Sequence, residues 1–489
     1  MRSKEKEGKE IMEKKRSSFS GKIGFVLAAA GSAVGLGNIW RFPYLTAEYG
    51  GGIFLLIYLI LVVTFGFALM IAEIAIGRKT GKSAIEAFSD LNPKWGFLGK
   101  LTAIVPIIIF PYYCVIGGWV IKYMIVFISG QVQAAAESDF FNNFISSEAE
   151  PLVWLALFIG ATLIIVIWGV EKGVEKASKF MMPILVVLSV AVAAFVIFRP
   201  EAKEGLKFYL MPDFSKFSSK TVLGAMGQLF YSLSLAMGIM ITYGSYMKKD
   251  VHLENSIKQI EVFDFGIAFL AGLMIIPAIF AFGSSDDLQA GAGLMFVVLP
   301  KVFANMSMGG FLGAAFFVLV LFAALTSAIS LMETIVSILM DKLHWNRVLS
   351  CIVVALWGIL IGIPSSLGYG VWSGVQPLGL SILDFFDFIS NSVLMPIVAF
   401  LTCIFVGHVI KPQAVIEEVE LNGPFKRKKI FEIFIKYIAD FYHFDSAVFH
   451  CKHTGVDEDL ILILSAQGRR GCNALRLKKR VFLRRTNVL

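Results

Sequence analysis

Gly31-Ser32-Ala33-Val34-Gly35-Leu36-Gly37-Asn38-Ile39-Trp40-Arg41-Phe42-Pro43 lies within an apolar segment, residues 22–47, long enough to cross a bilayer core about 30 Å thick. Three glycines in this short run make poor helix, because each loses more backbone freedom on ordering than an alanine would. At membrane depth, the polar groups that a break frees must line a cavity or be buried in protein. A helix interrupted there implies something polar to bind, an ion or a charged ligand. Asn38 brings a side-chain carbonyl, and Arg41 a cation about one turn further on. Gly31-x-x-x-Gly35 also fits a close-packing glycine face; the Asn and Arg in the same run favour a site. A second interrupted span, Gly227-Gln228-Leu229-Phe230-Tyr231-Ser232-Leu233-Ser234-Leu235-Ala236-Met237-Gly238, again sets Gly, Gln and Ser in the middle of an apolar stretch. Two broken spans at corresponding places in two halves point to the binding site of a secondary transporter.

The bulk composition agrees. Hydrophobic residues make up 57% of the 489 and charged residues 16%, against about 25% charged in soluble domains. With mean hydropathy of +0.75 and several apolar runs of membrane-crossing length, the chain reads as a polytopic helical membrane protein. Its net charge of +8 belongs to basic loops, so no nucleic-acid partner is expected. The first sixteen residues are mostly charged with no apolar h-region, so no cleavable signal peptide is expected. Cys114, Cys351, Cys403, Cys451 and Cys472 show no metal-ligand spacing and define no disulfide framework.

Ten spans are expected, at about residues 22–47, 52–77, 101–129, 152–169, 180–198, 221–247, 259–283, 308–340, 347–363 and 384–410. The segment 284–306, with Asp286, Asp287 and Pro300, reads as a re-entrant or capping helix. The N-terminus and the 2–3, 4–5, 6–7 and 8–9 loops are basic; the 3–4 and 9–10 loops carry no Lys or Arg. By the positive-inside rule the N-terminus is cytoplasmic, in a multi-pass protein of the plasma (inner) membrane. The 5–6 connection, with Arg199, Lys203, Lys207, Lys216 and Lys220, runs against the trend. Five spans per half make the broken spans enter from opposite sides. The expected fold is therefore an all-α, 5+5 inverted repeat. It comprises an N-terminal segment 1–21, a first repeat 22–198, an extracellular connection 199–220, a second repeat 221–410 and a cytoplasmic C-terminal region 411–489.

Few residues can carry chemistry. Asp264 sits inside span 7, where an acid costs about 2.5–3.5 kcal/mol on insertion scales and needs a partner; it is otherwise a hydrated acid near the span end. Glu73 is similar, with Arg78 as its candidate neutraliser. Ala323, Thr326 and Ser327 share one face of span 8 and offer a carbonyl and two hydroxyls to a monovalent cation, unless the hydroxyls only bond their own helix. Tyr112 and Tyr113 either face a cavity or anchor at an interface. Asp384 and Asp387 lie on the side of Arg41, and Arg16 and Asp341 on the other; each set either closes a central cavity or is solvated charge.

At these residues the chain resembles the neurotransmitter:sodium symporter family, especially its bacterial amino-acid transporters such as those for leucine and for tyrosine and tryptophan. The resemblance is carried by Gly31 to Pro43, Gly50-Gly51-Gly52, Gly77-Arg78 and Pro111-Tyr112-Tyr113. It continues through Gly169-Val170-Glu171-Lys172-Gly173, Gly227 to Ser234, Ile241 to Tyr246 and Leu325-Thr326-Ser327, so that it spans about residues 16–439. Tyr49 departs from an Asn frequent in relatives. The resemblance implies two sodium sites. One would use Ala33, Asn38, Ser232 and Asp264; the other Gly31, Val34, Ala323, Thr326 and Ser327. The substrate carboxylate would meet the Leu36 and Gly37 amides and the Tyr113 hydroxyl, at the positive end of a half-helix. Its ammonium would face Ala33, Tyr231, Ser232 and Ser234. Ile109, Tyr113, Tyr231, Met237, Ser327 and Leu331 would enclose the side chain, with Glu73 and Gln228 supporting the site from behind. Arg41 with Asp387, under Tyr231, resembles an outer gate; Arg16 with Asp341 and Tyr246 resembles an inner one.

The implied activity is sodium-coupled import of a hydrophobic or aromatic L-amino acid by alternating access. It would not require chloride, because Asp264 stands where several relatives carry neutral Asn. Ala236, where relatives often carry Gly, is expected to narrow the cavity by about a methyl group. Rivals are a proton-coupled carrier of the same architecture, which a lysine at the second cation position would favour, and a non-transporting amino-acid sensor. No catalytic constellation appears within the spans, so no enzyme is expected. Beyond about residue 440 the chain departs from the family, becoming polar and then very basic, from Arg469 to Arg485. Its apolar run from Leu460 to Ala466 is too short to cross a bilayer, so the eleventh span of bacterial relatives is expected to be missing or altered. A shifted reading frame, a truncation, or a basic tail on anionic lipid would each account for this.

Overall fold

The computed structural model describes residues 18–282 and 293–438. Arg16, Asp286, Asp287 and the tail, where an eleventh span is expected to be missing or altered, lie outside the described residues. Among the described residues the fold is helical, with one isolated bridge, Gly51 to Pro212. Eight helices among the described residues are long and apolar enough to cross a membrane. They are Gly52–Thr80, Pro93–Ile128, Glu150–Ile167, Val170–Ile197, Leu253–Phe282, Gly309–Leu343, Arg347–Leu367 and Ile382–Val409, here spans 2–5 and 7–10. Each pairs its backbone groups internally, which the absence of water at that depth demands.

Spans 1 and 6 are the broken ones. Span 1 runs Lys22–Ala33, leaves helical geometry at Val34 (φ −79°, ψ 93°) and resumes as Gly37–Glu48, bent by 50°. Span 6 runs Ser219–Ser232 and resumes as Ile239–Ser245. Between these halves Ser234 (φ 53°), Ala236 (φ 60°) and Gly238 (φ 77°) are left-handed. Only glycine adopts that conformation freely, so the other two positions are held there by their surroundings.

Burial sorts the helices into an inside and an outside. The apolar windows of spans 3 and 8 are 78% and 72% buried, those of spans 4, 5 and 9 only 33–39%. The first half of span 1 packs against spans 5, 7 and 8, and span 6 mainly against span 2, while spans 4, 5 and 9 present most of their apolar surface outward. Spans 2 and 6 touch backbone to backbone: a methyl on Gly77 would run into the Ile241 carbonyl, and one on Gly244 into Ile74.

Two connections are more ordered than the sequence foretells. The basic 5–6 connection contains the helix Lys203–Leu210, whose Tyr209 is buried and donates to the Phe269 carbonyl of span 7 (3.0 Å). The apolar helix Leu294–Asn305 is too short to cross. It sets Phe296, fully buried, against Trp40, Trp119, Tyr123 and Phe141; of the two expectations for that segment, a cap fits.

Past span 10, the helix Lys411–Glu420 and the following segment fasten spans 2, 6 and 7 together. Glu418 accepts from Arg78 Nε and Lys249 Nζ, both at 2.8 Å, while Arg78 also donates to the Val251 carbonyl (2.8 Å). Arg427 lies 3.5 Å over the Phe67 ring and pairs with Glu254 and Glu261. Arg78 is thus not the neutraliser of Glu73, since its partner comes from far along the chain.

Candidate substrate and ion site

The two breaks meet. Span 7 begins at Leu253, earlier than its hydropathy indicates, so Asp264 lies well inside the helix and is fully buried. Asp264 Oδ1 accepts from Asn38 Nδ2 of span 1 (2.8 Å) and Ser232 Oγ of span 6 (2.6 Å). Its Oδ2 accepts from the Tyr58 hydroxyl of span 2 (3.1 Å). A hydrated acid at the span end is excluded by this burial. One carboxylate joins four spans, with its charge held by three donors rather than by a basic residue.

The second oxygen cluster lies on the far side of the span 1 break. The final carbonyls of a helix have no partner within it. The Ser32 carbonyl takes Ser234 Oγ (2.9 Å) from span 6 and Ser327 Oγ (3.0 Å) from span 8. Thr326 Oγ1 bonds back to its own helix, to the Phe322 and Ala323 carbonyls (2.9 and 3.1 Å), as threonines commonly do. Ser327 reaches across instead. A Cβ on Gly31 would lie 3.2 Å from Thr326 Cβ, and one on Gly35 2.5 Å from Ser327 Oγ and 3.2 Å from the Tyr113 hydroxyl. Gly31 thus packs closely against the Thr326 carbons and Met182, while Gly35 faces the Ser327 and Tyr113 hydroxyls, so Gly31-x-x-x-Gly35 combines close packing at one glycine with polar neighbours at the other.

Between the two clusters lies a cavity of about 30 Å³. Its lining includes Ala33, Leu36, Gly37, Ile109, Tyr113, Tyr231, Ser234, Met237, Ser327 and Leu331, the whole expected substrate set apart from Ser232. Ser32, Gly35 and Ile239 complete it. Ala236 does not line it: its N–H donates to Glu73 Oε1 (2.8 Å), so its methyl has no part in narrowing the cavity. The Leu36 N–H points to the Tyr113 hydroxyl (3.4 Å), and Gln228 Nε2 donates to the Gly37 carbonyl (2.8 Å). Both contacts lie at the exposed-amide end of the second half-helix, where an anion is favoured.

On one side of the cavity the Tyr231 ring covers Gly37, and the Arg41 guanidinium lies 5.2 Å above that ring. Arg41 and Asp387 do not close a direct ion pair. Asp387 accepts from Tyr112 (3.2 Å) and Asn391 (2.5 Å), which places Tyr112 beside Asp387, whereas Tyr113 lines the cavity. Asp384 is exposed and belongs to the cap of span 10, through Ser381. On the opposite side the Tyr246 hydroxyl donates to Glu333 (2.8 Å), itself paired with Arg347. Asp341 accepts the Ser83 N–H (2.7 Å). Sequence reasoning overlooks Glu333, although an acid in the middle of span 8 is the same signal that singles out Asp264. Tyr58 carries no local signal.

The sequence model of the sodium:neurotransmitter symporter family matches residues 16–143 and 138–454. An uncharacterised sodium-dependent transporter of Bacillus subtilis (strain 168), YhdH, is 35% identical over 433 residues, 86% of this chain and 94% of that protein. One from Haemophilus influenzae is 36% identical over 418 residues, 82% of this chain and 91% of that protein. Among solved structures, MhsT in complex with L-phenylalanine superposes with a TM-score of 0.81 at 40% identity, covering 88% of this chain and all of MhsT.

Proposed function

This chain belongs to the sodium:neurotransmitter symporter family and is a sodium-dependent membrane transporter, and from that premise we propose that it imports a hydrophobic or aromatic L-amino acid with two sodium ions. One observation carries this reading: half-helix ends of spans 1 and 6 meet at a single apolar cavity with a buried carboxylate beside it. The Leu36 and Gly37 amides with the Tyr113 hydroxyl would take the substrate carboxylate, and carbonyls at the break its ammonium. Ile109, Met237 and Leu331 are apolar, which suits a hydrophobic side chain, as does the phenylalanine bound by MhsT. The cavity is small for an amino acid, so this apolar wall moves outward on binding.

The first sodium would lie among the Ala33 carbonyl, Asn38, Ser232 and Asp264. The second would lie among the Gly31, Val34 and Ala323 carbonyls and the Thr326 and Ser327 hydroxyls. With Thr326 and Ser327 there, no lysine replaces the second cation, which favours sodium over proton coupling. Asp264 supplies a fixed negative charge beside the first ion, so chloride is not required. With the N-terminus cytoplasmic, each sodium entering gains about 2.3 kcal/mol per 100 mV of potential.

Uptake of a panel of labelled amino acids into proteoliposomes tests the reading. Accumulation should need sodium and persist when gluconate replaces chloride. Equal uptake in choline, or loss in gluconate, would overturn the corresponding part.

A further inference from the structure

Where span 10 ends at Val409, a second cavity of about 460 Å³ opens, within the range of ligand sites. It is lined by Lys411, Pro412 and Gln413 from the start of the next helix, and by Glu432, Ile433 and Lys436 from the segment that returns past it. The transport cycle described above does not use this place. Among the described residues, Lys411, Glu432 and Lys436 form no ion pair with one another or with any other side chain. Unlike charges that face one hollow without pairing leave their fields directed into it. Lys411 also has a left-handed backbone (φ 64°). Such a conformation costs an ordinary residue on the order of 1–3 kcal/mol and persists only where the surroundings impose it.

We propose that this cavity holds the headgroup of a phosphatidylethanolamine from the adjoining leaflet. Its depth is that of lipid headgroups, immediately beyond the apolar stretch of span 10. Two ammonium groups, Lys411 and Lys436, match a phosphate; one carboxylate, Glu432, matches a primary ammonium that can donate hydrogen bonds to it. Gln413 supplies further hydrogen-bonding capacity, and the half-exposed Ile433 adds an apolar surface suited to the start of an acyl chain. A purely anionic headgroup would leave Glu432 repelling it, and a trimethylated choline has no N–H to offer that carboxylate. The amine together with the phosphate is therefore the recognised pattern.

Native mass spectrometry of the full-length protein, delipidated and then titrated with defined lipids, tests this. The expected order is phosphatidylethanolamine above both phosphatidylcholine and phosphatidylglycerol, by at least five-fold in retained lipid. Glu432→Gln should bring ethanolamine lipid down to the level of choline lipid without weakening phosphatidylglycerol. Lys411→Gln and Lys436→Gln should weaken ethanolamine lipid and phosphatidylglycerol together. These side chains are exposed or half-buried, and a size-exclusion profile identical to that of the parent shows that folding is intact. Phosphatidylglycerol outranking ethanolamine lipid, three variants that leave the order unchanged, or water-soluble phosphoethanolamine displacing the lipid at equal concentration would each overturn the proposal.

Discussion

The two helix breaks do the same thing by different means. Span 1 breaks briefly, over residues 34–36, within a glycine-rich run, and then bends by 50°. Span 6 stays open over six residues and places a serine and an alanine in left-handed backbone that neither favours. What holds span 6 open is external: Glu73 takes the Ala236 N–H, and Ser234 Oγ is tied to the Ser32 carbonyl. A break can be written locally in composition, or imposed by partners distant in sequence. Only the first kind is easily read from a string of residues.

Asp264 ties the two breaks together, so its replacement should have the largest effect. Asp264→Asn is expected to raise the sodium concentration for half-maximal uptake at least ten-fold, about 1.4 kcal/mol or more; an unchanged sodium titration would refute the link. Gly35→Ala attacks span 1 alone, by pressing a methyl against Ser327 and Tyr113. Overpacking of that kind costs about 1–3 kcal/mol and should appear as weakened substrate binding, read by equilibrium binding of a labelled amino acid. Glu73→Ala attacks span 6 alone and leaves a buried N–H unpaired, at about 1–3 kcal/mol. Binding should fall by around ten-fold, ~1.4 kcal/mol, whereas Glu73→Gln, which keeps an acceptor, should stay near the parent. Equal losses in both Glu73 variants would show that charge, not bracing, is what matters there. Ser234→Ala removes one of the two hydroxyls on the Ser32 carbonyl and should cost about 0.5–1.5 kcal/mol, a few-fold in the same assay. The smallest effect is expected from Ala236→Gly. It relieves a left-handed alanine by roughly 1–2 kcal/mol but returns part of that through a more flexible unfolded chain, for a slight rise in melting temperature.

Span positions were readable because continuous hydrophobicity needs no tertiary context, and the break in span 1 because its glycines are local. Asp264 stood out as an acid at membrane depth, although the start of its helix did not, since Leu253 to Lys258 are polar enough to resemble a loop. The partners were not readable. Tyr58 reaches Asp264 across 206 positions and Glu418 reaches Arg78 across 340, and no periodicity encodes such distances. The family resemblance implies an outer gate of Arg41 and Asp387 under Tyr231, but the residues alone do not say how these charges are partnered. In the structure Tyr112 and Asn391 take Asp387, and Arg41 lies over an aromatic face instead.

Arg427 rests on Phe67 of span 2 while gripping two acids of span 7, so the last part of the polypeptide acts as a buckle on parts made long before it. A ribosome stopping short of Arg427 would release a bundle with that buckle undone. The grip between spans 2 and 7 therefore depends on residues translated only after span 10.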